Sequence, residues 1–213
     1  MKLLFIANGD TGTDLEEGFF RKFDACVCVD GGLNWLHDHY EHIRPEFIIG
    51  DLDSARRDVL EKYRTTSKII KKDNQDESDL MFALRYILEK SNIPVDEITI
   101  VGATGHRIDH TLCNIITLRQ IPMEIPAKIL TTLGEEVFLA RKNLVLERIR
   151  GKTLSLIPIT DISGLSCSGT KWPLTNVDLP FGFVNGISNL AEEETVNISL
   201  SAGELLVILN KTV

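Results

Sequence analysis

The sequence predicts two kinds of structure in succession, an α/β half with a mainly parallel sheet flanked by helices and an all-β half arranged as a sandwich or a barrel. In the first half, short apolar runs alternate with segments whose apolar residues recur at helical spacing. After the proline-bracketed segment Ile121-Pro122-Met123-Glu124-Ile125-Pro126, only short strand-like runs follow, separated by Gly, Asn, Ser and Pro. We therefore expect an α/β domain over 1–123 and an all-β domain over 124–213.

The alternation in the first half predicts individual elements. Strands are expected at 2–7, 24–29, 46–50, 67–70 and 98–101. Helices are expected at 15–23, 33–40 and 55–63, from residue 80 onward and again from residue 108. In the last of these helices, the residues expected on the buried side are Ile108, Leu112, Ile115 and Ile116. Beyond residue 124, strands are expected at 128–132, 137–140, 144–149, 153–159, 196–200 and 205–209.

Composition excludes several classes of protein. The chain of 213 residues is 43% apolar and 25% charged, as in a globular protein with a buried core. Its net charge of −8 disfavours nucleic acid as a partner, and no apolar run is long enough to cross a membrane. The four cysteines show no zinc-site spacing, so free thiols in a reducing compartment are expected. Because the N-terminal apolar run is too short for a signal peptide, we expect a cytoplasmic protein.

The central stretch of the chain is Gly50-Asp51-Leu52-Asp53-Ser54, which follows the apolar run Phe47-Ile48-Ile49. On an extended backbone, Asp51 and Asp53 point to the same side, where two carboxylates repel unless a proton or a cation lies between them. The end of a parallel strand is also where α/β proteins bind ligands. A simpler interpretation is a polar turn in which Asp53 or Ser54 caps a helix that starts near Ala55.

Further polar clusters follow other predicted strands. Asp30-Gly31-Gly32 ends the second strand, and its backbone N–H groups could receive phosphate at the next helix. Asp76 and Asp79 share a face in the first turn of the helix that begins near residue 80, although helix capping by these residues is an alternative. Gly105-His106-Arg107-Ile108-Asp109-His110 follows the fifth strand, where Arg107 offers a planar fork suited to phosphate. Arg107 and Asp109 could instead be a surface ion pair.

Right-handed crossovers bring the carboxyl ends of parallel strands to one edge of a sheet, so these acids are expected to converge. Many carboxylates at one place require a divalent cation, and oxygen ligands select Mg²⁺ or Mn²⁺. The implied chemistry is metal-assisted phosphoryl or diphosphoryl transfer, or hydrolysis of a phosphate ester. The sequence contains no Walker A pattern, which excludes a P-loop kinase.

The ordered set of motifs resembles the thiamin pyrophosphokinase family over nearly the whole chain. The resemblance rests on the motifs Asp30-Gly31-Gly32, Gly50-Asp51-Leu52-Asp53-Ser54, Asp76-Glu77-Ser78-Asp79, Gly105-His106-Arg107-Ile108-Asp109-His110 with Asn114, Gly169-Thr170-Lys171-Trp172-Pro173-Leu174 and Ile187-Ser188-Asn189. It implies that ATP donates its terminal two phosphates as a unit to the hydroxyl of thiamin, giving thiamin diphosphate and AMP. It also implies an α/β nucleotide-binding domain followed by a β-sandwich that binds thiamin, and a homodimer with thiamin at the subunit interface.

The resemblance assigns roles to particular residues. The residues that would hold Mg²⁺ and the polyphosphate are Asp51, Asp53, Asp76 and Asp79, with Arg107 and Asp109 nearby. The residues on the nucleotide side would be Asp30, Gly31, Gly32 and Asn114. Trp172 would stack on the cationic ring of thiamin, with Ser188, Asn189 and Ser166 beside it. The alternative for Trp172 is a buried core tryptophan.

The chain departs from the family pattern at His106, where a second glycine is usual before the arginine. A histidine there would carry some strain if the position needs a positive φ, or it would add a phosphate contact. Two other functions therefore stay open at this point. One is a magnesium-dependent phosphohydrolase acting on a small phosphoester. The other is a nucleotide- or thiamin-binding module without catalysis.

Overall fold

The computed structural model describes residues 1–12, 15–105, 107–183 and 186–210. The chain divides into two compact units, Met1–Thr132 and Leu133–Val213. The sequence places the boundary after residue 123. The first unit extends further because the strand Ala127–Leu130 pairs in parallel with the strand Glu97–Val101.

The first unit is a parallel sheet with helices between its strands. The strands are β1 (Lys2–Ile6), β2 (Ala25–Val29), β3 (Phe47–Gly50), β4 (Lys68–Lys71), β5 (Glu97–Val101) and β6 (Ala127–Leu130). Their order is β6-β5-β1-β2-β3-β4, and each neighbouring pair is parallel. The helices are α1 (Glu17–Phe20), α2 (Gly32–His39), α3 (Arg57–Tyr63), α4 (Asp79–Glu89) and α5 (Ile108–Thr117), and a 3-10 turn follows at Leu118–Gln120.

The core of this unit explains why its strands read as continuous apolar runs. Leu3, Leu4, Phe5 and Ile6 of β1 are all completely buried, which requires cover on both faces of the sheet. Leu33 of α2 is one of the helical residues that complete the core. In the described part of the chain, no helix is both long enough and apolar enough to cross a membrane.

Helix α5 corrects one expectation. Ile108, Leu112 and Ile116 were expected on its buried side, but their side chains are 76%, 56% and 51% exposed. The prediction was wrong because apolar spacing defines a helix face without saying what that face meets. Three large apolar residues in one exposed row mark a surface that can bind another protein.

Two capping interpretations are also corrected. Helix α4 is capped by Ser78, whose Oγ accepts a hydrogen bond from the Met81 amide at 3.2 Å, and not by Asp76. Helix α3 starts after Arg56 without a side-chain cap, so Asp53 and Ser54 do not cap it. The acids at these junctions therefore need another explanation.

The second unit consists of antiparallel strands, as predicted for a sandwich. The strands are β7 (Glu136–Ala140), β8 (Leu144–Glu147), β9 (Thr153–Pro158), β10 (Ile162–Ser168), β11 (Leu174–Leu179), β12 (Gly186–Leu190), β13 (Thr195–Ser199) and β14 (Leu205–Leu209). They follow the two orders β12-β9-β14-β7 and β11-β10-β13-β8. Buried residues from both sets, such as Leu154 and Val196, form one apolar core.

Strands β10, β11 and β12 are not among those expected from the sequence. Their segments, ISGLSCS, LTNVDL and GISNL, mix polar and apolar residues without clean alternation. The β10–β11 pairing contains register shifts, which disturb the period of two that a strand pattern needs. Tertiary pairing therefore determines these strands more than their own composition does.

Candidate functional site

The carboxylates of Asp30, Asp51 and Asp53 come together at the carboxyl ends of β2 and β3. Val29 and Ile49 are register partners in these parallel strands, and the Asp30 amide donates to the Ile49 carbonyl at 2.9 Å. One oxygen from each of the three carboxylates lies within 4.8 Å of the others. The sequence predicted that Asp30 would converge with Asp51 and Asp53, and the structure brings these three carboxylates together.

At this edge of the sheet, the backbone conformation lets the ends of β2 and β3 lie close together. Gly50 has a φ of 151°, and a Cβ at that position would lie 3.0 Å from the Asp30 Cβ and 3.2 Å from the Asp30 nitrogen. Asp30 and Leu52 themselves have positive φ values, 47° and 65°. Such conformations are costly for residues other than glycine and are concentrated at functional sites.

A hydrogen-bond network orients the three carboxylates. The Asp51 carboxylate accepts from the Asp53 amide at 3.2 Å and from the Gln75 side chain at 3.0 Å. Ser54 donates through its hydroxyl to Asp53 at 3.0 Å and through its amide to Asp30 at 3.3 Å. Gln75 and Ser54 thus hold the acids in place without neutralising them.

The surroundings of Asp51 and Asp30 shift their pKa values in opposite directions. The hydrogen bond from Gln75 lowers the pKa of Asp51 below its usual value, which favours the charged form. Burial raises the pKa of Asp30, and the negative charge of Asp79 raises it further. A cation placed among the three carboxylates would relieve the repulsion between them.

Asp79, the first residue of α4, lies one hydrogen bond away from this group. Its Oδ1 accepts from the Asp51 amide at 3.1 Å and from the Lys72 ammonium at 2.9 Å. Lys72 was not among the predicted site residues. The pair Lys71-Lys72 is visible in the sequence, but the sequence does not say which of the two side chains turns inward. Lys72 is buried and Lys71 is exposed.

The remaining predicted residues of the first unit lie outside the carboxylate group. Asp76 is exposed. Arg107 and Asp109 are exposed and form an ion pair with each other at 3.2 and 2.6 Å, which lowers the pKa of Asp109. The Asn114 side chain donates to the Ala103 carbonyl at 2.9 Å and so anchors α5 to the loop after β5. Their roles toward a ligand stay predictions, and His106 lies outside the described residues.

Gly31 and Gly32 have a packing role that the sequence did not reveal. A Cβ on Gly32 would lie 2.1 Å from the Ile6 carbonyl oxygen, and one on Gly31 would lie 2.2 Å from the Asn8 side-chain oxygen. The two glycines therefore let the start of α2 pack against the end of β1. Contact of their amides with phosphate stays a prediction.

In the second unit, Trp172 is a surface residue. Its side chain is 56% exposed, so the core alternative is wrong. The buried Asn189 accepts from the Trp172 amide at 3.1 Å and donates to the Trp172 carbonyl at 2.8 Å. It also donates to the Thr170 hydroxyl at 3.2 Å. In the described structure, these bonds direct the Asn189 amide to the turn that carries Trp172.

The other predicted thiamin-side residues also make backbone contacts. Ser166 Oγ accepts from the Asn176 amide at 3.0 Å. Ser188 is exposed, has a φ of 58° and donates through its amide to the Ser155 hydroxyl at 3.1 Å. The Lys171 ammonium lies over the Trp172 ring, 4.9 Å from its centroid, which shows that this exposed indole face can accept a cation.

The donor set of the first unit suits Mg²⁺. Three carboxylates supply only hard oxygen ligands, and their oxygens lie close enough together to surround one ion. Asp51 and Asp53 lie at the surface of the sheet edge, where a ligand can reach them. The arrangement can therefore hold a metal together with the phosphates of a nucleotide.

Comparisons with known proteins extend over both units. The model of the thiamin pyrophosphokinase catalytic domain matches residues 17–129, and that of the thiamin pyrophosphokinase vitamin B1 binding domain matches residues 141–205. Thiamine pyrophosphokinase 3 of Oryza sativa subsp. japonica is 31% identical over 205 residues, which cover 85% of this chain and 76% of that protein. Thiamine pyrophosphokinase of Bacillus subtilis (strain 168) is 30% identical over 197 residues, covering 90% and 89% of the two chains.

Solved structures agree with these relatives. The crystal structure of thiamine pyrophosphokinase from Bacillus subtilis superposes with a TM-score of 0.83 at 26% identity and covers 100% of both chains. Thiamin pyrophosphokinase from Candida albicans shares the fold, with a TM-score of 0.82 at 20% identity, covering 98% of this chain and 89% of that one. The chain described here belongs to the thiamin pyrophosphokinase family.

Proposed function

We propose that the protein transfers the diphosphate group of ATP to the hydroxyl of thiamin, giving thiamin diphosphate and AMP. The observation that carries the proposal is the convergence of Asp30, Asp51 and Asp53 in a chain whose two parts match a catalytic and a vitamin B1 binding domain. In the reaction, the thiamin oxygen bonds to the β-phosphorus of ATP. The bond from that phosphorus to the oxygen bridging the α-phosphorus breaks, AMP leaves, and the hydroxyl proton passes to a base or to water.

The carboxylates of Asp51 and Asp53, with Asp30 beside them, would hold Mg²⁺ or Mn²⁺. When bound, the ion supplies positive charge to the phosphate oxygens as negative charge develops on the leaving AMP. Gln75 and Ser54 orient the carboxylates through the hydrogen bonds described above. We include Asp76, Arg107 and Asp109 in the polyphosphate site on the strength of their motifs.

The test is direct. Protein is incubated with ATP, Mg²⁺ and thiamin, and the products are separated by chromatography. The proposal predicts thiamin diphosphate and AMP in equal amounts. A phosphohydrolase would instead release phosphate from a phosphoester without forming AMP, and a binding module would bind without turnover. Either of these results would reject the proposal.

Trp172 provides a prediction on the thiamin side. Trp172→Ala should raise the KM for thiamin by about tenfold with kcat little changed, because an indole face over a cationic ring contributes about 1–2 kcal/mol to binding. The fold should be unaffected, since the side chain is exposed. Steady-state kinetics with varied thiamin measure the effect, and Trp172→Phe, which retains an aromatic face, is the matched control. A KM equal to that of the unsubstituted protein would remove Trp172 from the thiamin site.

We also propose that the protein is a homodimer with the active site at the subunit interface. The exposed row of Ile108, Leu112 and Ile116 on α5 supports a contact with a second copy, because a row of this kind is unfavourable in water. The cytoplasmic location expected from the sequence stays a prediction.

The proposed dimer contact predicts that one charged substitution on α5 separates the two subunits. Leu112→Glu should convert the dimer to a monomer at micromolar concentration, because it places a carboxylate in the middle of the apolar row. Light scattering coupled to size-exclusion chromatography measures the mass. Lys90→Glu, at the exposed end of α4, introduces the same side chain elsewhere and should leave the dimer intact. A dimeric Leu112→Glu protein would show that the interface lies elsewhere.

A further inference from the structure

Lys72 places a buried positive charge directly behind the carboxylate group. It follows β4, and its amide donates to the Gly50 carbonyl at 2.8 Å, which extends the pairing with β3 by one residue. Only 3% of Lys72 is exposed. Its ammonium donates to Asp79 Oδ1 at 2.9 Å and to the Glu77 carbonyl at 2.8 Å.

The same Asp79 oxygen holds the loop that carries the metal-binding acids. Asp79 Oδ1 accepts from the Asp51 amide at 3.1 Å as well as from Lys72. The peptide of Asp51 is therefore fixed by a carboxylate that is itself fixed by the buried ammonium. Glu77, whose carbonyl is the second acceptor for Lys72, is also held in position. Both the Nε and an Nη of Arg85 on α4 donate hydrogen bonds to its carboxylate.

The ion pair between Lys72 and Asp79 matters because Lys72 is buried. A buried ammonium is stable only when it is paired and hydrogen-bonded, so Lys72 and Asp79 constrain each other strongly. By contrast, Lys68, the first residue of β4, forms an exposed pair with Glu46 at 2.9 Å, an arrangement that contributes little to stability.

We propose that Lys72 is a positioning residue for diphosphate transfer. It acts through Asp79, whose carboxylate holds the Asp51 amide and so aims the Asp51 and Asp53 carboxylates at the divalent ion. The main role of Asp79 is therefore to accept hydrogen bonds from the Lys72 ammonium and the Asp51 amide. The inference rests on the proposed function for its link to catalysis, but its prediction for metal binding does not require turnover.

The test compares Lys72→Met with the matched control Lys68→Met. Mn²⁺ binding to the full chain, measured by electron paramagnetic resonance, should weaken by about tenfold or more in Lys72→Met, as expected for loss of a group that orients metal ligands. The Mg²⁺ concentration for half-maximal activity should rise in parallel, while the KM for thiamin stays unchanged. Lys68→Met should match the unsubstituted protein in each measurement. Mn²⁺ affinity in Lys72→Met within about twofold of the unsubstituted protein would overturn the proposal.

A double substitution tests whether Lys72 acts through Asp79, and it also serves if Lys72→Met alone does not fold. Lys72→Met/Asp79→Asn removes both buried charges together and should bind Mn²⁺ as weakly as Asp79→Asn alone, because the two residues act as one unit. If the loss of Mn²⁺ affinity in the double substitution instead equals the product of the two single losses, Lys72 does not act through Asp79. If the unsubstituted protein binds Mn²⁺ but forms no thiamin diphosphate, the proposed function fails while the comparison of Mn²⁺ affinities still decides the role of Lys72.

Discussion

Asp53→Asn is expected to lower the rate of thiamin diphosphate formation by more than ~100-fold, which corresponds to about 2.7 kcal/mol of barrier. Asparagine keeps the shape of the side chain and an oxygen that can accept from the Ser54 hydroxyl, now at 3.0 Å from Asp53. It removes the negative charge and one of the hard oxygen donors that a divalent ion requires. The loss should therefore appear in catalysis and not in folding.

The measurement is kcat at saturating ATP, Mg²⁺ and thiamin, with the melting temperature recorded on the same sample. Asp58→Asn, an exposed position in the first turn of α3, makes the same chemical change away from the cluster and should retain activity. Activity of Asp53→Asn close to that of the unsubstituted protein would take Asp53 out of the metal site.

Gly32→Ala is expected to destabilise the protein by about 1–3 kcal/mol, the usual cost of forcing an extra group into a packed site. The added Cβ would lie 2.1 Å from the Ile6 carbonyl oxygen and 2.8 Å from the Ile6 carbonyl carbon. Both are backbone atoms of the sheet, which cannot move aside as a side chain can. Because α2 leads directly from Asp30, displacement of its first turn should also disturb the carboxylate group.

Chemical denaturation with urea measures the free energy of unfolding. Gly18→Ala is the matched control, because nothing lies within 4 Å of the position of its Cβ and alanine is favoured over glycine in helices. Its stability should equal or exceed that of the unsubstituted protein. If Gly32→Ala is as stable as Gly18→Ala, the close contact between α2 and β1 is not a constraint on the fold.

Much of the site edge could be predicted because it depends on local patterns. The apolar runs that become β2 and β3 end where the sequence placed their ends, at Val29 and Gly50. Parallel topology then brings the residues after them to one edge, so the approach of Asp30 to Asp51 and Asp53 followed from strand order. The closeness of Asp51 and Asp53 to each other followed from their spacing of two. The family resemblance came from the same motifs, and the comparisons confirmed it.

Other features depend on three-dimensional contacts that no pattern encodes. Lys72 is buried and Lys71 is exposed, a difference that two adjacent lysines in the sequence do not reveal. The apolar row of α5 has the spacing of a core face but is exposed in this chain. The sequence also does not show that the Asn189 side chain hydrogen-bonds to the backbone of Trp172; its place beside thiamin stays a prediction.

The most direct measurement is a crystal structure with Mn²⁺ and an ATP analogue whose α–β bridge cannot be cleaved, using the anomalous signal to locate the metal. We predict a Mn²⁺ peak bonded to carboxylate oxygens of Asp51 and Asp53 and to oxygens of the nucleotide phosphates. A peak bonded to neither aspartate, or nucleotide phosphates bound away from the ends of β2 and β3, would contradict the account.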